Sequence, residues 1–157
     1  MANLRRPVAD SVEVRAPGLA ALAVMAVSRL PVPLRRRVLR GTFERARDAV
    51  NRGDLEAVFG LFAKDVEYGP PPPLCSEGLL HGRAAVLDFW RAVFDRYDEN
   101  TIENLSLDEA APGSFVRRAR LHHRENATGA SLDYVVIQTT YLKRGRVVRQ
   151  VNVLEER

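Results

Sequence analysis

The stretch Asn51-Arg52-Gly53-Asp54-Leu55-Glu56-Ala57-Val58-Phe59-Gly60-Leu61-Phe62-Ala63-Lys64-Asp65-Val66-Glu67-Tyr68 decides how this chain folds. Just upstream, Leu39, Phe43, Ala46 and Val50 recur at steps of four, three and four, which puts them on one face of a helix over 34–50. Asn51-Arg52-Gly53 stops that helix, because glycine enters the left-handed cap conformation without a side-chain clash. Asp54 then caps a second helix by accepting one of its free backbone N–H groups. Leu55, Val58, Phe59 and Phe62 give that short helix its apolar stripe. Val66 and Tyr68 next alternate with Asp65 and Glu67, the pattern of a half-buried strand.

Downstream, Pro70 to Pro73 cannot continue a strand interior and form a stiff loop with Leu74, Cys75 and Gly78. His81-Gly82 leads into a helix whose stripe is Val86, Phe89, Trp90, Val93, Phe94 and Tyr97. A strand over 101–110 follows, then a Pro112-Gly113 turn and a strand over 115–124 with Phe115, Ala119 and Leu121 on its apolar side. Asn126 to Gly129 turns into a strand over 131–142, and Lys143-Arg144-Gly145 makes a hairpin into the strand 146–154.

Upstream, residues 16–27 are an apolar run that ends before Pro31 and Pro33, too short for the roughly 20 residues of a membrane span. Arg5 and Arg6 with Ala26-Val27-Ser28 match an export leader loosely, and Asp10 and Glu13 oppose it. The run is therefore read as an accessory helix laid on the domain surface, and the protein as cytoplasmic. On that reading Asn126-Ala127-Thr128 is no glycosylation site. The arginines of the first long helix, among them Arg35, Arg36 and Arg40, read as a solvated face offset by Glu44 and Asp48.

The chain's 157 residues suit a single core, and 46% hydrophobic against 28% charged residues is globular composition. Cys75 is the only cysteine, so neither an intramolecular disulfide nor a cysteine metal cluster can form. The net charge of +4 comes from basic residues of which only Lys64 and Lys143 are lysine. The arginines are dispersed among acids with no recognition motif, which argues against a nucleic-acid partner.

The order helix, "NRGDLEAVFGLFAKDVEY", loop, "HGRAAVLDFW" helix and several long strands resembles the SnoaL-like branch of the nuclear-transport-factor-2-like superfamily. The resemblance covers 34–157 and leaves 1–33 as an N-terminal extension. It implies an α+β fold: a curved, mostly antiparallel sheet wrapped around three helices to form a cone with a pocket, plus the accessory helix. Relatives include ketosteroid isomerases, limonene epoxide hydrolases and polyketide cyclases.

All but one of the working groups of those relatives are absent from the matching positions. Where a ketosteroid isomerase carries its base, tyrosine and acid, this chain has Pro70, Ala46 and Gln138, none able to transfer a proton. Against a limonene epoxide hydrolase, Tyr68 falls at the tyrosine and Pro70 at the asparagine. Ala119, Leu121 and Asn152 take the Asp-Arg-Asp positions, unless a one-residue slip offers Arg120 and His122. The resemblance implies a pocket lined by Tyr68, Trp90, Val136, Gln138, Thr140 and Asn152, with His123 joining them. Neutral polar groups among apolar walls suit a small, largely uncharged ligand. Adjacent His122 and His123 point to opposite sheet faces and cannot chelate one metal together. No metal and no cofactor are expected.

Two functions follow. One is a protein that binds a small hydrophobic molecule, or transforms it by cofactor-free acid–base chemistry of the isomerase, cyclase or hydratase type. The other is a non-catalytic dimeric module, joined through an outer sheet face of Val135, Ile137, Val147, Val151 and Val153.

Overall fold

The computed structural model describes residues 14–27, 29–75 and 78–156. The leader-like features at Arg5, Arg6, Asp10, Glu13 and Ser28 lie outside the described residues. Helix α1 (Pro17–Val27) precedes α2 (Val32–Asn51), which ends where Gly53 adopts φ +73° and its N–H donates to the Val50 carbonyl. Asp54 caps α3 (Leu55–Phe59), its Oδ1 accepting from the Ala57 N–H at 3.3 Å. The chain then runs into β1 (Phe62–Gly69), with Val66 and Tyr68 buried and Lys64 and Asp65 exposed.

After the proline loop come β2 (Leu80–His81), α4 (Arg83–Arg96), β3 (Tyr97–Ala111), β4 (Ser114–Glu125), β5 (Ser131–Lys143) and β6 (Arg146–Leu154). The sheet is curved and unclosed, in the order β2-β1-β6-β5-β4-β3. Its β1–β6 pair is parallel and the other pairs are antiparallel. This is the α+β cone that the sequence implies. Arg144 and Gly145, at φ +51° and +72°, form the two-residue turn between β5 and β6. The core lies between the sheet and the helices, where Val66, Tyr68, Val86, Trp90 and Val136 are enclosed.

The short helix α3 stops at Phe59, so Phe62, expected on its apolar stripe, instead opens β1. Two further local differences from the sequence reading have physical causes. Tyr97 continues the α4 periodicity, four residues after Val93, yet it is extended at φ −116°, ψ 125° and starts β3. It pairs with Glu125 across the sheet, and its carbonyl accepts from Asn100 Nδ2 at 2.8 Å. Strand pairing thus ends the helix with no glycine or proline. Val147, expected on the outer face, is buried inside. Tyr141 pairs with Arg149 but Leu142 pairs with Val147, so one extra residue of β6 bulges and reverses the side to which Val147 points.

Helix α1 rests on the β5–β6 turn. Ala20 and Ala21 are buried there, while Leu19 and Leu22 are 63% and 57% exposed. A methyl group built on Gly145 would overlap the Ala21 carbonyl oxygen and lie 2.7 and 2.9 Å from that residue's C and Cα. Only glycine fits under the helix at this point.

Candidate functional site

The register of the meander builds one polar wall. Arg117 of β4 stands opposite Gln138 of β5, and Gln138 opposite Asn152 of β6. The next row is Phe115, Thr140 and Gln150. All six are buried, because alternate residues of each strand face the helices. Gln138 Nε2 donates to Asn152 Oδ1 at 2.9 Å, and Asn152 Nδ2 donates to the Gly69 carbonyl at 2.8 Å. Thr140 Oγ1 donates to Gln150 Oε1 at 3.2 Å. These bonds join β5 to β6 side chain to side chain and β6 to the backbone of β1, and leave little polar capacity unmet.

Between this wall and the helices is a cavity of about 120 Å³. The α2 stripe Leu39, Phe43, Ala46 and Val50 forms one side, Val58 and Phe59 of α3 a second, and Val24 and Val27 of α1 a third. Arg117, Gln138, Thr140 and Gln150 supply polar groups from the sheet. Among the described lining residues there is no carboxylate, imidazole, phenol or thiol.

Arg117 is the unusual member of the wall. It is 7% exposed. Its Nη1 donates to Asn104 Oδ1 at 3.1 Å, its Cζ lies 5.7 Å from the centre of the Phe43 ring, and its Nε has no hydrogen-bond partner among the described residues. Among the described residues no carboxylate forms an ion pair with it. Glu44 already pairs with Arg47, and reaches Arg117 only through Asn104, whose Nδ2 donates to Glu44 Oε1 at 3.2 Å. Burial pulls the Arg117 guanidinium down to about 10, which still leaves it charged at neutral pH.

Of the residues the sequence singles out, Gln138 and Thr140 line this cavity. Asn152 stands behind Gln138 as its acceptor. Tyr68 and Trp90 lie in the aromatic core beside Phe59, with the indole Nε1–H donating to the Tyr68 hydroxyl at 3.0 Å. Burial drives the Tyr68 phenol above its ordinary range. Val136 is packed in the same core.

His123 sits toward the far end of β4 in a buried chain of its own. Asn100 spends its Nδ2 on the Tyr97 carbonyl, so its Oδ1 faces His123 Nδ1 at 2.7 Å and fixes that nitrogen as the donor. Nε2 is then the acceptor for the Tyr134 hydroxyl at 3.0 Å. Burial, aided by the neighbouring His122, pushes His123 down to about 4, and it is neutral at physiological pH.

The outward residues of β4 contribute nothing to the cavity. Arg120 pairs with Glu103 on the surface, and His122 lies 2.8 Å from Asp133 and 3.5 Å from Glu99. The register puts Ala119 and Leu121 inside, so the one-residue slip that would have offered Arg120 and His122 does not occur. Among the described residues no three His, Cys, Asp or Glu side chains are placed to hold a metal ion. Nor is any helix there long and apolar enough to cross a membrane.

The residue that sequence reasoning passes over is Arg117. Its signal was present: Phe115, Ala119 and Leu121 recur at every second position except 117, so the same alternation turns Arg117 inward. A guanidinium within an apolar row marks a site more sharply than the neutral residues beside it.

Residues 43–150 match the sequence profile of the SnoaL-like domain. Among solved structures the chain is similar to an NTF2-like protein of unknown function from Burkholderia pseudomallei K96243, at 22% identity and a TM-score of 0.64, over 74% of this chain and 89% of that one. It is also similar to TerC co-crystallised with polyporic acid, at 14% identity and a TM-score of 0.62, over 73% and 89% of the two chains. A third is a candidate polyketide cyclase from Pseudomonas putida KT2440, at 16% identity and a TM-score of 0.62, again over 73% and 89%. At these identities the likeness concerns the fold. No curated protein matches the sequence significantly.

Proposed function

The chain belongs to the SnoaL-like domain family, whose profile spans most of it, and from that premise we propose that it binds a small, mainly hydrophobic molecule in the cavity between α1, α2, α3 and the sheet. One observation carries this reading over acid–base catalysis. The cavity holds hydrogen-bonding groups and the guanidinium groups of Arg45 and Arg117, but no described side chain that exchanges a proton near neutral pH. Isomerase, cyclase or hydratase chemistry needs such a group against the ligand, and His123, the nearest candidate in character, is neutral and engaged on both ring nitrogens. The proposed function requires no cofactor, nucleic acid or membrane, and we place it in the cytoplasm.

Native mass spectrometry tests the proposal. Wild-type protein incubated with an extract of its host's small molecules should retain a bound mass. Ala46→Phe, which fills the cavity from α2, should lose it while keeping its circular dichroism spectrum. An empty wild type, or equal retention by both proteins, refutes the proposal.

A second reading rests on the outer sheet face. Val153 is 53% exposed there, on the same face as Tyr141 and the half-buried Val135, Ile137 and Val151. Such a surface supports a homodimer, with or without a ligand in the cavity.

A further inference from the structure

We infer that the cavity selects a small hydrophobic carboxylate and that Arg117 is the residue that anchors its charge. The inference deepens the binding function proposed above and rests on it. It replaces the largely uncharged ligand that the sequence implies.

Four observations carry it. Arg117 lines the cavity and is more than nine-tenths buried. Its Nε lacks a hydrogen-bond partner among the described residues. No carboxylate among the described residues forms an ion pair with it, since Glu44 is committed to Arg47 and acts on Arg117 only at a distance, across Asn104. The other polar groups from the sheet, Gln138, Thr140 and Gln150, are neutral, and among the described lining residues Arg45 of α2 adds a second positive charge. A buried charge left unpaired is costly, and a buried donor left unbonded costs about 1–3 kcal/mol. An incoming carboxylate removes both penalties at once, because its two oxygens match the planar fork of the guanidinium.

The apolar sides, from Leu39, Ala46, Val58 and Val24, take the ligand's hydrocarbon part. The volume of about 120 Å³ restricts it to a compact group, since an engineered cavity of about 150 Å³ is filled by benzene.

A purely structural Arg117, held by the Phe43 ring and Asn104, is the competing account. Calorimetric titration separates the two. Phenylacetate and the straight-chain alkanoates of four to eight carbons are each compared with the corresponding primary amide, on the full chain at pH 7. The inference expects at least one pair in which wild type binds the carboxylate about 10- to 100-fold more tightly than the amide. Arg117→Met should bring that ratio within about twofold, and Arg117→Lys should retain part of it.

Carboxylates and amides bound equally by wild type overturn the anchor and leave the binding function standing. A carboxylate preference that survives in Arg117→Met overturns it too. Should Arg117→Met fail to fold, the wild-type ratio and Arg117→Lys decide. Absence of binding by every member of both series at millimolar concentration defeats the binding function itself, and the anchor with it.

Discussion

Replacing Gly145 by alanine should release α1 from the mouth of the cone. Two costs arise and can be separated. The first is conformational: a non-glycine residue at φ +72° loses about 1–2 kcal/mol. Gly129 supplies the control, since it sits at φ +68° with nothing within 4 Å of an added methyl. The second cost is the collision with Ala21, at 2.7 and 2.9 Å from main-chain atoms, where carbon contacts are comfortable at about 3.5–4.0 Å. Main-chain atoms cannot rotate away, so α1 must move. The helix is held by the buried methyls of Ala20 and Ala21 and by the half-buried Val24 and Val27. At about 0.8 kcal/mol per buried carbon this docking is worth about 3 kcal/mol, or about 100-fold in the opening equilibrium. Hydrogen exchange of a peptide spanning 17–27 should therefore accelerate by about two orders of magnitude in Gly145→Ala and stay near wild type in Gly129→Ala. Equal exchange in the two variants would refute the claim that α1 is fastened at this turn.

The remaining predictions concern His123 and the outer face. His123 drops from its ordinary 6.5 to about 4 in the fold, so between those values the unfolded chain binds a proton that the native state refuses. Stability is retained above pH 6.5 and falls as the pH drops toward 4, by about 2–3 kcal/mol between pH 7 and 4.5. His122, raised chiefly by its bond to Asp133, acts in the opposite sense, but its exposure keeps that contribution small. Urea unfolding of His123→Gln should show this acid loss removed, and an unchanged pH dependence would contradict the buried, neutral assignment. Sedimentation equilibrium should find a dimer that Val153→Arg dissociates, and a wild type that is monomeric at high micromolar concentration rules the dimer out.

What could be read from the sequence was whatever local chemistry determines. Gly53 and Asp54 set the α2–α3 boundary through a left-handed backbone and one side-chain acceptor, both intrinsic to those residues. The family resemblance, rather than local alternation, implied that Val136, Gln138 and Thr140 face the helices, and all three are buried there. Features that depend on a partner strand were not readable. Tyr97 leaves the helical pattern because β4 pairs with it, and Val147 turns inward because a bulge opposite Tyr141 and Leu142 shifts the register. Composition hid Arg117 for another reason: among so many surface arginines, only position within an apolar row distinguished it.

The ends of the strand order bear on any self-association. β2, at one border, is two residues long and presents almost no open ladder. β3, at the other, is long, but three register shifts interrupt it and Asp98, Glu99, Glu103, Asp108 and Glu109 are spread along it. Repelling charges and broken pleat are devices that keep a border strand from recruiting another chain's backbone. Growth into a continuous intermolecular sheet is thereby blocked at both margins, so two copies that meet must do so face to face.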